Sequence, residues 1–329
     1  MVSVLHRLLL WFPPEVAHWF AIRGLRLLQW MRFRLSPKPW SPPLPVLLHV
    51  PSPLRLRNRI GIAAGLDKNA QAFAGLACLG VGFVEVGSVT PLAQKGNPKP
   101  RLWRPGSGAL VNHMGFNSVG LERFRANLLR YRSKVPGLAL LANIGKNRQT
   151  PNEQAIEDYR RGFERLVGCA DGFVVNLSSP NTPSLVALQS AEFLQAIAAL
   201  APPQLPTWIK LSPDLSNADL EALCAFVRSE RRFAGLVLTN TSRELAAEVF
   251  GFEQGGLSGR PLFSRSLECV SIARQALGPD KILIGVGGVW NLASARQMRE
   301  AGADLIEVYT GFIYRGPELI DELTPHFQI

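Results

Sequence analysis

The feature that most constrains the fold of this chain is an alternation of short apolar runs with segments of helical periodicity. Eight runs rich in Val, Ile and Leu have the length of buried strands, and helix-period segments separate them. The runs occupy residues 60–64, 82–87, 138–144, 172–177, 206–211, 235–240, 282–286 and 304–309. Eight strands alternating with helices over about 270 residues predict an α/β fold, a (β/α)8 TIM barrel, rather than an open doubly wound sheet.

Helix start signals support this interpretation. The spacing of apolar residues predicts helices over 152–167, 216–230 and 291–301, and Ser216 and Asn291 are suitable N-caps for the last two. The chain contains neither a Gly-x-Gly-x-x-Gly fingerprint nor a Walker loop, which further disfavours the open sheet.

Composition excludes several classes of protein. A chain of 329 residues that is 47% apolar is neither a disulfide-stapled small domain nor a disordered protein. Its four cysteines include no Cys-x-x-Cys pair, so we expect reduced thiols, no metal site and no iron–sulfur cluster. The net charge of +11 is mainly N-terminal, since residues 1–60 hold nine Lys or Arg and the single acid Glu15.

The N-terminal segment has the composition of an amphipathic membrane-surface element. Apolar residues and tryptophans alternate with arginines up to Arg34, and no window is apolar enough to span a bilayer. Pro13, Pro14 and Glu15 form a helix start, so two short helices are predicted. A helical cap packed on the main domain and a secretory signal are the alternatives, although no small-residue cleavage site follows the apolar run. No nucleic-acid-binding signature is present, so we expect no nucleic-acid partner.

These patterns divide the chain into three parts. Residues 1–38 are expected to form the helical extension, residues 39–58 a proline-rich connector, and residues 59–329 the barrel domain. In a barrel of this class the chemistry lies just after the strands, at their C-terminal ends. The long connections 91–116 and 241–263 follow the second and sixth strands and are candidate lids.

Polar residues do follow the strands. Lys68, Lys146 and Lys210 end the first, third and fifth strands, and a barrel would direct them into one cavity. Such a lysine could be a Schiff-base nucleophile, or it could stand beside the N1 and C2 oxygen of a flavin. Asparagines favour the second interpretation, because an amide complements the alternating C=O and N–H edge of a cyclic imide. These amides are Asn112, Asn143, Asn176, Asn181 and Asn240.

A phosphate-binding site is predicted at the last two strands. The turn containing Gly287 and Gly288 and the small residues after Tyr309 can present backbone N–H groups to a phosphate. We therefore expect a phosphorylated ligand.

Seven motifs follow one another in the sequence: Ala63–Lys68, Val84–Pro91, Gly96–Arg101, Met114–Asn117, Asn176–Pro183, Gly255–Gly259 and Gly285–Val289. This ordered set resembles one known family, the membrane-associated, quinone-dependent (class 2) dihydroorotate dehydrogenases. The resemblance extends from about residue 10 to the end and includes the N-terminal segment Pro14–His18.

The resemblance implies oxidation of (S)-dihydroorotate to orotate in de novo pyrimidine biosynthesis, with FMN as hydride acceptor and a membrane quinone as final acceptor. It implies that Ser179 is the catalytic base, with Thr182 or a water as a relay. It implies that the substrate is bound by Lys68, Asn112, Met114, Gly115, Phe116, Asn176, Asn181, Asn240 and Thr241. It implies that FMN is bound by Ala64, Gly65, Ser88, Asn143, Asn176, Lys210, Thr239, Ser258, Gly259, Gly287, Gly288, Tyr309 and Thr310.

The second half-reaction is expected at the N-terminal extension. The resemblance places His18, Arg104 and Tyr309 at the polar end of an apolar quinone tunnel. It also implies a peripheral protein on the cytoplasmic face of the cell (inner) membrane, and we expect a monomer. A helix-surface histidine is the alternative interpretation of His18.

The chain departs from the family pattern at two places. Ser184-Leu185-Val186 stands where Gly-Leu-Arg usually follows the serine, and His113 stands where an arginine usually precedes Met114. We expect altered loop closure or substrate affinity rather than a different reaction. The alternatives are a soluble FMN barrel that acts on another pyrimidine and an inactive flavin-binding or membrane-docking protein.

Overall fold

The computed structural model describes residues 2–35, 54–106, 108–178 and 188–329. Ser179, Asn181, Thr182 and the 184–186 departure therefore lie outside the described residues, as does most of the proline-rich connector. Eleven strands and twelve α-helices lie within the described ranges.

Eight parallel strands close into a barrel, as the alternating pattern predicts. The barrel strands are β1 (Ile60–Ile62), β2 (Phe83–Val89), β5 (Ala139–Ile144), β6 (Gly172–Asn176), β7 (Thr207–Lys210), β8 (Phe233–Leu238), β10 (Ile282–Val286) and β11 (Leu305–Val308). Their order around the barrel is β1-β11-β10-β8-β7-β6-β5-β2, with β1 paired to both β11 and β2. All eight coincide with the predicted runs to within a few residues.

Helices surround the barrel and bury their apolar sides against it. They are α1 (Val2–Leu9), α2 (Pro14–Leu35), α3 (Phe73–Ala77), α4 (Leu121–Arg132), α5 (Ala155–Leu166), α6 (Ala191–Leu200), α7 (Asn217–Ser229), α8 (Arg243–Phe250), α9 (Phe263–Leu277), α10 (Leu292–Glu300), α11 (Thr310–Arg315) and α12 (Pro317–Leu323). The predicted caps are present, because Ser216 and Asn291 accept hydrogen bonds from the backbone N–H groups of Asp219 and Ser294.

The two connections predicted as lids form a small sheet instead of separate loops. Strands β3 (Leu102–Trp103) and β4 (Ala109–Asn112) arise from the first connection, and β9 (Gly256–Gly259) arises from the second. The order is β3-β4-β9 with antiparallel pairing, so β4 joins both connections. Apolar residues of β4 and β9 pack against α8, which gives this sheet a core of its own. The lid prediction missed this pairing because it depends on segments about 150 residues apart in the sequence.

The N-terminal extension is two helices packed on the barrel, but the second is not short. Helix α2 has 22 residues and begins at Pro14, one residue before the acid that favours a helix start. Within the described part of the chain, none of the helices has both the length and the apolarity needed to cross a bilayer. Several large apolar side chains of the extension are exposed, among them Trp11, Trp19, Phe20, Leu27 and Trp30.

Buried polar contacts attach α2 to the barrel. Gln29 is 2% exposed, donates to the Gln71 carbonyl (2.9 Å) and accepts from the Gly75 N–H (3.2 Å). At the other end of α2, Glu15 pairs with Arg101 at 2.9 Å. Gly75 has no side chain where the helices meet, and a Cβ there would lie 2.3 Å from the Leu25 carbonyl oxygen. The extension therefore packs on α3 at backbone contact distance.

This contact predicts opposite effects for two glycine substitutions. Gly75→Ala should lower the free energy of unfolding by about 1–3 kcal/mol, because the added methyl must push α2 away from α3. Gly24→Ala, one residue from the contact, meets no atom within 4 Å and should be neutral or stabilising by up to about 1 kcal/mol. Urea unfolding of both variants measures the difference. Equal stability of the two variants would contradict the close approach.

Candidate active site

A cavity of about 940 Å³, open to solvent, lies at the C-terminal ends of the barrel strands. Eighteen of the sequence-predicted residues line it: Ala64, Gly65, Lys68, Ser88, Asn112, Met114, Gly115, Phe116, Asn176, Lys210, Asn240, Thr241, Ser258, Gly259, Gly287, Gly288, Tyr309 and Thr310. The sequence prediction and the geometry therefore agree on where the site lies.

The floor of the cavity is built on a buried ion pair. Lys210 ends β7, and its Nζ lies 2.6 Å from Oε2 of Glu85, in the middle of β2. Glu85 also accepts from Asn143 Nδ2 (2.5 Å) and from the Ala64 N–H (3.0 Å). Burial alone would raise the pKa of Glu85, but the Lys210 ammonium and these donors outweigh it and the pKa falls. Burial would likewise lower the pKa of Lys210, and its carboxylate partners raise it instead.

A second carboxyl group reaches the same lysine. Glu307 of β11 is 0% exposed, lines the cavity, and has its Oε2 3.7 Å from Lys210 Nζ. Among the described residues, neither of its carboxyl oxygens has a hydrogen-bond partner. Burial raises the pKa of Glu307 well above its usual range, and the neighbouring Glu85 carboxylate raises it further.

Amide and hydroxyl groups form the next layer around the cavity. Asn176 donates to Ser88 Oγ (2.9 Å), and Asn240 donates to Ser178 Oγ (2.9 Å). These bonds fix the asparagine side chains at the ends of β6 and β8. Thr241 also lines the cavity, and its buried hydroxyl has no hydrogen-bond partner among the described residues. Orphaned polar atoms of this kind indicate a polar ligand, because burial without a partner is costly.

Two predicted residues lie behind the wall rather than on it. Asn143 is 0% exposed and directs its amide to Glu85. Thr239 is 3% exposed, and its hydroxyl pairs with Ser266 at 3.1 Å. Neither side chain lines the cavity.

The three strand-end lysines do not share the cavity. Lys68 and Lys210 line it, whereas Lys146 donates to the Thr150 carbonyl at 2.7 Å outside it. The expectation for Lys146 was wrong because its own loop offers an acceptor. Burial, followed by the charge of Arg101, lowers the pKa of Lys68 to about 8. Lys68 is thus a titratable cation in the cavity wall.

The turns after the last two strands contain the small residues that let backbone N–H groups approach an anion. Gly287 and Gly288 follow β10, and Thr310 follows β11, where its hydroxyl pairs with Ser258 Oγ at 2.7 Å. Gly288 has a φ of +77°, and a Cβ there would lie 2.5 Å from the Phe263 side chain. Only glycine permits this turn, which leaves backbone N–H groups near the cavity wall.

A second cavity, of about 520 Å³, lies between the N-terminal helices and the barrel. Its wall is mainly apolar and includes Ala17, Ala21, Leu66 and Ile313. Three segments, 63–68, 110–114 and 309–313, contribute residues to both cavities. The two cavities therefore share walls.

The polar residues of the second cavity hold the extension in place. His18 Nε2 bonds the Leu66 carbonyl at 2.7 Å, so this nitrogen carries the proton. Burial lowers the pKa of His18, and nearby Lys68 lowers it further. Arg104 donates to the Leu10 carbonyl (2.7 Å) and the Phe12 carbonyl, between α1 and α2. Tyr309, expected both at the cofactor site and at the end of the tunnel, lines the first cavity and packs in one cluster with Leu110 and Ile313 of the second.

Sequence reasoning missed the two carboxyl groups of the floor. Glu85 and Glu307 each stand inside an apolar run that predicts a buried strand. An acid in such a run is a detectable signal, because a buried carboxyl group needs a partner. The partner, Lys210, becomes apparent only when the barrel closes.

Comparison with known proteins agrees with this geometry. The dihydroorotate dehydrogenase family model matches residues 50–328. A curated relative from Marinobacter nauticus, named dihydroorotate dehydrogenase (quinone), is 41% identical over 98% of this chain and 97% of its own length. A relative of the same name from Methylibium petroleiphilum is 44% identical over 82% of each chain.

Solved structures extend the likeness to the fold. The crystal structure of DHODH from Eimeria tenella in complex with ferulenol superposes with a TM-score of 0.78 at 31% identity. The match covers 95% of this chain and 90% of that one. The chain therefore belongs to the family of quinone-dependent dihydroorotate dehydrogenases.

Proposed function

We propose that this protein oxidises dihydroorotate to orotate with FMN as the hydride acceptor and passes the electrons to a membrane quinone. The observation that carries the proposal is the pair of cavities with shared walls. One is polar and contains ammonium and amide groups, and the other is apolar and borders the N-terminal helices. Two substrates of opposite polarity that exchange electrons through one cofactor require this arrangement. The reaction would serve de novo pyrimidine biosynthesis.

The donor set of the first cavity fits FMN. Lys210 would stand at the edge of the ring where negative charge collects on reduction, and Ser88, Asn176 and the Ala64–Gly65 backbone would hold the ring. Ser258, Gly259, Gly287, Gly288 and Thr310 would hold the phosphate. Bound FMN supplies the acceptor for the hydride that leaves C6 of the substrate. Asn143 and Thr239 would support this site from behind, since their side chains bond Glu85 and Ser266.

Substrate recognition follows from the charged and amide groups. Dihydroorotate carries a carboxylate, and we assign Lys68 as the cation that binds it. Of the two lysines that line the cavity, Lys68 is the one without an acidic hydrogen-bond partner among the described residues. Asn112, Asn176, Asn181, Asn240 and Thr241 offer the donors and acceptors that an imide edge needs. Met114, Gly115 and Phe116 would contact the ring from the connection above. Phe116 holds a φ of +50°, a strained conformation typical of ligand-contact positions.

Ser179 is the proposed general base. It follows Ser178 in the sequence, and the Ser178 hydroxyl accepts a hydrogen bond from Asn240 in the cavity wall. The C5–H bond of the substrate breaks, its electron pair forms the ring double bond, and the proton goes to the Ser179 oxygen. A serine hydroxyl is a weak base, so positioning and a relay through Thr182 or water must assist it.

The second cavity is the proposed quinone site. Its apolar wall suits an isoprenoid quinone, and His18 and Arg104 supply its polar groups. The exposed aromatic residues of α2 and of the connection before it would rest in the interface of the inner membrane on its cytoplasmic face. We propose a monomeric protein at the surface of the bilayer, with the tunnel opening toward the lipid.

The role of Ser179 predicts a specific loss. Ser179→Ala should retain FMN but reduce the rate of anaerobic flavin bleaching by dihydroorotate by about 10²–10⁴, the usual contribution of a general base. Ser179→Cys should retain part of the rate, because a thiol can also accept the proton. Stopped-flow absorbance of the flavin band measures both variants. A fast Ser179→Ala variant would assign the base elsewhere, and failure of dihydroorotate to bleach the wild type would reject the reaction.

The lowered pKa of Lys68 predicts a pH dependence. Above its pKa of about 8 the ammonium deprotonates, so kcat/KM for dihydroorotate should fall about tenfold per pH unit. In Lys68→Arg the cation persists to higher pH, so kcat/KM should be lower at pH 7 but flat up to pH 10. The same decline in both proteins would show that another group titrates.

The two-cavity arrangement predicts that the half-reactions can be separated. Ala17→Trp places a large ring in the second cavity, so flavin reoxidation by a short-chain quinone should slow about tenfold or more. Anaerobic bleaching by dihydroorotate should be unchanged. Val16→Trp, exposed on the same helix and outside the cavity wall, is the matched control. Equal slowing of both half-reactions would indicate general damage and would contradict a separate quinone site.

A further inference from the structure

The cavity floor contains one ammonium group and two carboxyl groups. Lys210, Glu85 and Glu307 are each at most 4% exposed, so their charges cannot be screened by water. With both carboxyl groups ionised the triad would carry a net charge of −1. The position of one additional proton therefore decides the electrostatics of the floor.

The hydrogen bonds locate this proton. Glu85 Oε1 accepts from Asn143, and Glu85 Oε2 accepts from Ala64 N–H and Lys210. Three donors stabilise its anion, as in other strongly bound carboxylates. Glu307 has no donor within hydrogen-bond distance among the described residues, and its 3.7 Å approach to Lys210 is too long for a hydrogen bond. An ionised Glu307 would have no hydrogen-bond donor to stabilise its negative charge. A neutral acid has no charge to stabilise, so it is the less costly form.

We propose that Glu307 is a neutral carboxylic acid that presents an O–H donor to the ligand in the cavity. Glu307 lines the cavity, whereas Glu85 does not. Among the described residues the Glu85 carboxylate is the acceptor beside this proton, and an acceptor atom of a ligand in the cavity would take its place. The floor then offers two adjacent donors, the Lys210 ammonium and the Glu307 acid, with no net charge.

The role of this donor toward FMN rests on the proposed function. A neutral floor would avoid placing an uncompensated anion beneath the electron-rich reduced ring, and its two donors would hold the ring's acceptor edge. Glu307 is thus a positioning residue for the cofactor. The protonation state itself requires no turnover and can be tested separately.

Infrared spectroscopy of the full chain tests the protonation state. The wild-type minus Glu307→Gln difference spectrum at pH 7 should show one carboxylic-acid C=O band that shifts in D₂O, and no carboxylate bands. Glu157→Gln is the control, because Glu157 is paired with Arg160 on the surface and should give carboxylate bands only. Carboxylate bands in the Glu307 difference spectrum would overturn the proposal.

Two variants of Glu307 test the donor role by FMN release from the holoenzyme on dilution. Glu307→Gln keeps an N–H donor and should release FMN within about twofold of the wild-type rate. Glu307→Leu lacks a donor and should release FMN about fivefold faster, the effect of one lost hydrogen bond. Equal rates for the two variants would overturn the donor role, and circular dichroism shows whether each variant is folded.

These readouts separate the inference from the proposed reaction. An acid band together with failure of dihydroorotate to bleach the flavin would support Glu307 and reject the reaction. Carboxylate bands together with normal bleaching of the flavin would reject the neutral Glu307 and support the reaction.

Discussion

The Glu85 carboxylate is the interaction on which the site depends. It accepts from the backbone after β1, from Asn143 on β5 and from Lys210 on β7, while standing itself on β2. One buried anion thus joins four of the eight strands at the end of the barrel where the cavity opens. Removing Glu85 would leave the buried charge of Lys210 without its strongest partner. The free energy lost in this way is larger than the net stability that the ion pair contributes. The position of Lys210 therefore depends on the closed barrel, which brings the partners of Glu85 together.

The shared walls connect this floor with the N-terminal extension. Leu66 lies two residues from Lys68 and offers its carbonyl to His18 of α2. The segment 63–68 consequently contacts the proposed FMN and substrate on one side and the apolar cavity on the other. Because this short segment is all that separates the two cavities here, electrons can pass from one to the other. Neither substrate then needs to enter the site of the other.

The sequence predicted the barrel well because its signals are local. Each buried strand is a continuous apolar run, and caps such as Ser216 and Asn291 lie within four residues of the groups they bond. Most cavity residues could be predicted because strand ends meet in a barrel. Contacts between distant segments could not, as with the β4–β9 pairing, the turning of Lys146 to Thr150, and the Glu85–Lys210–Glu307 triad. Those contacts depend on the closed structure rather than on neighbouring residues.

The pairing of β4 with β9 has a consequence for ligand binding. Asn112 at the end of β4 pairs in register with Gly256, and Ser258 of β9 pairs with Leu110. A proposed substrate ligand and a proposed cofactor ligand therefore belong to one small sheet and are ordered together. Whichever molecule binds first restricts the sheet for both and reduces the entropy that the second must remove. Binding of the two molecules would then be thermodynamically linked even where they do not touch.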